Sequence, residues 1–185
     1  MPVNATNDKL GWLAPSFNLL DISDNYVSLD QLKGDNGTVI AFICNHCPYV
    51  IAIAERLSFE AKELKKLSIN MIAIMSNDVE QYPEDSFDNM KLFAKKYDFE
   101  FSYLYDETQE VAKSYGAVCT PDIFGFNSSL ELMYRGRIDS GVMNSDTKKI
   151  DRELFFAMNK IKNDGVGPTD QLNSFGCSIK WKTNE

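Results

Sequence analysis

Thr38-Val39-Ile40-Ala41-Phe42-Ile43-Cys44-Asn45-His46-Cys47-Pro48-Tyr49-Val50 is the stretch that decides the fold of this chain. Its first six residues are apolar or β-branched, the mark of a short strand buried on both faces. From Pro48 the period changes. Val50, Ala54, Leu57, Ala61 and Leu64 recur at alternating spacings of four and three, which predicts an amphipathic helix to about Leu67. Cys44 and Cys47 therefore stand where a buried strand ends and a long helix begins. The thiolate is the reactive form of cysteine, and the unpaired amides and dipole of a helix start stabilise it. Two intervening residues let the second sulfur reach the first within one helical turn. One thiol can then attack a substrate disulfide and the other can release the mixed disulfide. Pro48 suits a first helical turn, where a missing N–H costs little.

His46, between the two cysteines, is the only histidine in the chain. A cation beside a thiolate lowers its pKa, favours the reduced form and makes the disulfide more oxidising, so His46 is a candidate tuning residue. A zinc site would need four ligands, often two short-spaced pairs. Beyond the pair, only His46, Cys119 and Cys177 remain as nitrogen or sulfur ligands, and copper carriage would want a distant histidine. No metal and no cofactor is expected.

Outward from this centre, strands and helices alternate, which predicts an α/β layered fold. Residues 14–21 read as a short strand and 26–29 as its hairpin partner. Ile69 to Met75 reads as a second buried strand. After the polar Tyr82-Pro83-Glu84-Asp85 loop, Asp85 or Ser86 can cap a helix carrying Met90, Phe93, Ala94 and Tyr97. Phe99, Phe101 and Tyr103 alternate as a strand. Val111, Ala112 and Tyr115 predict a short helix ending at Gly116. Ile123 to Phe126 and Leu130 to Tyr134 flank Asn127-Ser128-Ser129 as an antiparallel hairpin. Ile150, Leu154, Ala157, Met158 and Ile161 set a last amphipathic helix, and residues 165–185 read as an irregular tail packed on the same domain.

The 185 residues suit one domain, 1–185, with a sizeable core. A net charge of -8 argues against nucleic acid or an anionic membrane as partner, since both reward clustered Lys and Arg. No window approaches the ~20 apolar residues of a membrane span. The opening residues lack both a basic start and an apolar run, so a cytoplasmic location is the expectation. In a reducing compartment a close cysteine pair is catalytic or metal-binding sooner than structural.

Residues 42–50, followed about seventy residues later by Val118-Cys119-Thr120-Pro121-Asp122, resemble the thioredoxin superfamily. More narrowly, the chain resembles its peroxiredoxin-like, AhpC/TSA-type redoxin branch. The Ala14-Pro15 opening, Tyr82-Pro83-Glu84-Asp85, residues 134–139 and residues 176–181 extend the resemblance over nearly the whole chain. It implies a thioredoxin fold: a central mixed β-sheet flanked by helices, extended by an N-terminal β-hairpin. It also implies that Pro121 is cis and lies across from Cys44, with the Thr120 backbone facing the sulfurs and open to an extended peptide.

Two departures bear on mechanism. Thioredoxins proper carry a buried acid six residues before the first cysteine and a Trp just before it; here those positions hold Thr38 and Ile43. The proton acceptor is thus unassigned, with Asn77 and Asp78 as candidates. Peroxiredoxins proper place Pro and Thr seven and three residues before the peroxidatic cysteine and use an Arg on the peroxide. Here those positions are Gly37 and Ala41, and Arg135 and Arg137 read as solvated hairpin charges.

The reading is a thiol-disulfide oxidoreductase with Cys44 as the more exposed, more acidic nucleophile and Cys47 as resolving thiol. A thiol peroxidase with Cys44 as peroxidatic cysteine is the alternative, and a non-catalytic interaction or metal-holding module is a third. Thr120 and Pro121 are expected to face the substrate. Cys119 and Cys177 are candidate accessory thiols or small buried hydrophobes. The expected partners are a protein or small-molecule disulfide, or a peroxide, and a thiol electron donor.

Overall fold

A computed structural model describes residues 2–5, 9–143 and 150–183. At its centre β4 (Gly37–Phe42) lies buried along its whole length. Val39 and Ala41 point into one apolar cluster while Ile40 and Phe42 point into another, which is why the strand reads as a continuous apolar run. Parallel to β4 runs β5 (Ile69–Met75), and parallel to β5 runs β6 (Ser102–Tyr105). On the other side β8 (Asp122–Phe126) and β9 (Leu132–Gly136) add antiparallel. The hairpin of β2 (Asn18–Asp21) and β3 (Tyr26–Ser28) extends the β6 edge. The seven strands lie in the order β3-β2-β6-β5-β4-β8-β9.

Helices cover both faces. On one side the clustered apolar residues come from α2 (Pro48–Lys65), α3 (Phe87–Lys96) and α5 (Glu153–Asp164). The other face packs residues of α1 (Leu29–Leu32) and α4 (Glu110–Tyr115), together with an aromatic group in which the Trp12 ring sits edge-on to Tyr115, Phe124 and Phe126. The short α1, which the sequence reading missed, begins in a capping box between Ser28 and Gln31. Gly116 ends α4 in the left-handed conformation, φ 64°, as its position predicted.

Three expectations are corrected. The β6 strand starts at Ser102, and Phe99 and Phe101 precede it as a stacked pair with ring centroids 4.4 Å apart. Their alternation reflects packing on one cluster and not strand pairing. Ile150 lies before α5 and not in it. The tail is not irregular throughout: β10 (Phe175–Ser178) pairs antiparallel with β1 (Pro2–Asn4) on one side and with β7 (Cys119–Thr120) on the other. Its shortness, the glycine inside it and partners distant in sequence hid this strand.

Candidate active site

Cys44 stands two residues beyond the end of β4, Asn45 and His46 form the turn, and Cys47 is the N-cap of α2 with Pro48 at the first helical position. The strand thus delivers both sulfurs to one helix end. Across from them the Thr120–Pro121 bond is cis. Thr120 meets both cysteines: its hydroxyl is 3.4 Å from Cys44 Sγ, and its carbonyl accepts from Cys47 Sγ at 3.1 Å. All four cysteines are free thiols.

Cys44 and Cys47 are both completely buried, so the expectation that Cys44 is the more exposed thiol is not met. Nor is it the more acidic. A hydrogen bond to Cys47, burial and the nearby Asp85 carboxylate hold Cys44 well above the usual thiol range. That same bond, with a further one from the Cys177 thiol, brings Cys47 down to about 5 against the cost of burial. The reduced pair therefore shares its protons, and its first ionisation is easier than that of a lone thiol. The Thr120 carbonyl can only accept. When a proton rests on Cys47 that carbonyl holds it, and the charge passes to Cys44, which faces the Thr120 hydroxyl.

Asp85 is the residue that sequence reasoning misplaced. Ser86, the other residue expected to cap α3, holds the N-cap position, whereas the Asp85 side chain is fully buried and turned toward the cysteine turn. Its Oδ1 accepts from the backbone N–H of Asn45 at 2.7 Å and of His46 at 3.2 Å. Its Oδ2 accepts from His46 Nδ1 at 2.7 Å and from Asn77 Nδ2 at 2.8 Å. Four donors offset the cost of burying a carboxylate. His46 therefore faces this carboxylate, with its ring stacked on Tyr82 at 5.4 Å. Asn45 completes the turn, accepting from the buried Tyr103 hydroxyl at 2.9 Å.

Of the two candidate proton acceptors, Asn77 serves as a donor to Asp85, and Asp78 accepts from the Glu80 amide in its own loop. Thr38, at the buried-acid position of thioredoxins, accepts from the Gly34 amide at 3.2 Å. The Cys44 sulfur, a ring nitrogen of His46 and a carboxylate oxygen of Asp85 lie within 4.8 Å of one another. These are the donors that a metal ion would use here, but the carboxylate already accepts four hydrogen bonds.

Arg135 is not a solvated charge. It is buried, paired with Asp122 at 2.9 Å, bonded to the Gly116 carbonyl and seated 4.5 Å over the Phe124 ring, which belongs to the cluster on the sheet face opposite Cys44. Arg137 forms a two-pronged pair with Glu153. The Thr120 edge, expected to be open to a peptide, is occupied by β10, with Cys177 directly opposite Thr120. Cys119 is buried with its thiol 3.6 Å from the Pro121 carbonyl, and burial pushes it far above the usual range. Beside Pro121 a cavity of about 580 Å³ is lined by Tyr49, Ile53, Ile138 and Phe175, among others.

This arrangement is that of a thioredoxin-superfamily protein of the peroxiredoxin-like kind. The fold matches the thioredoxin domain of a thiol-disulfide oxidoreductase from Bacteroides vulgatus with a TM-score of 0.65, at 16% identity, over 85% of this chain and 100% of that one. Residues 10–155 match the model of the AhpC/TSA family, and the chain belongs to that family. An uncharacterized conserved protein from Geobacillus kaustophilus is 42% identical with a TM-score of 0.94, covering 100% of this chain and 98% of that chain. Peroxiredoxin Q, chloroplastic, from Oryza sativa subsp. japonica is 32% identical over 117 residues, 62% of this chain. The match spans about half, 48%, of that relative's length. Among the described residues no helix is long and apolar enough to cross a membrane.

Proposed function

We propose that this protein is a thiol-disulfide oxidoreductase that cycles Cys44 and Cys47 between dithiol and disulfide. The observation that carries this reading is the convergence of both sulfurs on Thr120, one on its hydroxyl and one on its carbonyl. In the forward step Cys44 attacks a substrate disulfide while its proton passes to Cys47. The new Cys47 thiol is held by the Thr120 carbonyl. Cys47 then gives up that proton and attacks Cys44, releasing the second substrate thiol and closing the Cys44–Cys47 disulfide. A thiol donor reverses the cycle. The cavity beside Pro121, lined by both apolar side chains and polar ones such as Arg137, Asp139 and Gln171, is the candidate seat for the group next to the substrate sulfur. His46 acts on the couple through Asp85, whose negative charge opposes ionisation of Cys44.

A thiol peroxidase is the second reading, favoured by membership of the AhpC/TSA family and by the peroxiredoxin Q relative. Against it stand Ala41, which offers no hydroxyl to a bound peroxide, and the engagement of Arg135 and Arg137 with Asp122 and Glu153. The Cys47→Ser variant separates the two. An oxidoreductase loses its resolving thiol, accumulates substrate on Cys44 and stops turning over. A peroxidase forms a sulfenic acid on Cys44 that other thiols can resolve. Hydrogen peroxide consumption at the wild-type rate by Cys47→Ser, with disulfides reduced by neither protein, overturns the oxidoreductase reading.

A further inference from the structure

We propose that Cys177 is a third redox thiol, delivered to the dithiol by β10 and able to take over its disulfide. The proposal rests on the Cys44–Cys47 couple of the preceding section and adds a route by which electrons enter that buried pair through a partly exposed residue.

The placement is built into the strand. β10 lies along β7 with Cys177 opposite Thr120, the residue that holds both active-site sulfurs. The Cys177 side chain packs against the cluster that contains Cys44 and Cys47, near enough to Cys47 to favour its ionised form. Gly176 makes this approach feasible: a Cβ there would lie 2.0 Å from the Thr120 carbonyl oxygen, so any other residue would push the strand away. Phe175 sits edge-on to Tyr49 at 5.1 Å, tying β10 to the start of α2. Farther on, Lys180 donates its backbone N–H to Asn77 Oδ1 at 2.9 Å and accepts from the Asp78 amide at 2.8 Å. Because Asn77 also donates to Asp85, the tail and the cysteine turn share one hydrogen-bond network. Cys119, by contrast, lies opposite Ser178 with its thiol on the Pro121 carbonyl.

The chemistry balances without a new oxidant. Starting from the Cys44–Cys47 disulfide, Cys177 loses its proton and attacks Cys47 Sγ. The Cys44–Cys47 bond breaks, the Cys47–Cys177 bond forms, and Cys44 leaves with the electron pair and takes up a proton beside the Thr120 hydroxyl. The disulfide has moved from two fully buried sulfurs to one buried and one partly exposed sulfur. A low-molecular-weight thiol can then attack Cys177 from solvent and expel Cys47 as a thiolate, the better leaving group because its anion is the stabilised one. A second molecule of thiol attacks the sulfur of the first, giving the small-molecule disulfide and restoring Cys177. Burial and then the Cys47 bond push the Cys177 thiol up to about 11 in the reduced protein. The second of these causes weakens when Cys47 enters a disulfide and carries no charge.

Tryptic peptides read the outcome directly, because residues 34–56 hold both Cys44 and Cys47, residues 114–135 hold Cys119, and residues 163–180 hold Cys177. Cys44→Ser, equilibrated with oxidised glutathione, acid-quenched and digested, should yield peptide 34–56 disulfide-linked to 163–180. The same link should persist when Cys119→Ser is added. Reduction of the oxidised protein by glutathione should be about tenfold slower in Cys177→Ser than in the wild type. Cys47 found only as its glutathione adduct, or equal reduction rates, overturns the relay. Wild-type protein that forms no disulfide within peptide 34–56 overturns the dithiol couple and the relay together. A wild type that forms it while Cys44→Ser does not cross-link overturns the relay alone.

Discussion

His46 Nδ1 lies 2.7 Å from Oδ2 of Asp85, a carboxylate with no solvent exposure. The histidine between the two cysteines thus addresses a buried anion, and that anion stands beside the thiol of Cys44. Replacing Asp85 by Asn removes the charge that opposes Cys44 ionisation, so the reduced form gains and the couple becomes more oxidising. Equilibration with glutathione is expected to give a higher reduction potential. The same variant leaves buried donors with poorer acceptors, at a cost of about 1–3 kcal/mol in unfolding free energy. An unchanged or lower potential would remove Asp85 from the electrostatics of the dithiol.

The reduced protein should show a pH dependence that the oxidised protein lacks. Cys47 is depressed from 9.0 to about 5 by its bond from Cys44 and then by Cys177. A depressed pKa stabilises the fold fully above the unfolded value and loses that contribution as pH falls through the folded value. The stability of the reduced form relative to the oxidised form should therefore rise between pH 5 and pH 9, and fall above that window, where the raised Cys44 thiol stays protonated in the fold while its unfolded counterpart ionises. Ultraviolet thiolate absorbance of the folded, reduced protein should rise with a midpoint near pH 5, and that step should be lost in Cys47→Ser.

Gly176→Ala tests the seating of β10. The added methyl would sit 2.0 Å from the Thr120 oxygen and 3.0 Å from Pro121 Cδ, so the strand must shift. A destabilisation of about 1–3 kcal/mol is expected. Alkylation of Cys44 and Cys47 should accelerate as the cover loosens. Unchanged labelling with reduced stability would mean that the strand supports the edge without shielding the sulfurs.

Arg135→Met should act on stability before it acts on chemistry. The change leaves Asp122 buried without its cation, a loss of roughly 3–5 kcal/mol measured by denaturant unfolding. Among the folded molecules at low temperature, peroxide and disulfide turnover should fall by the same factor. Selective loss of peroxide turnover would instead make Arg135 part of a peroxide site.

Much of this architecture is legible in the sequence because local patterns carry it. The double-sided burial of β4 shows as an unbroken apolar run, the face of α2 as a 3.6-residue period, and the end of α4 as a glycine. The dithiol is legible for the same reason, since two residues fix its spacing. Asp85 is not: it meets the cysteine turn across forty positions, and next to Ser86 it looks like a helix cap. Arg135 misleads because nothing local announces that Asp122, on the neighbouring strand, will pair with it. β10 hides because its pairing with residues 2–4 and 119–120 is wholly long-range.

The two tryptophans occupy places of opposite character. Trp12 is wedged among Tyr115, Phe124 and Phe126, and Trp181 lies just beyond β10 at the surface with the Lys113 ammonium 5.7 Å from its ring. Their emission is therefore separable, one indole reporting on the sheet and the other on the tail. In a Trp12→Phe background, fluorescence reports on the tail around Trp181 alone. It can be read during a single redox cycle, without labels and without stopping the reaction.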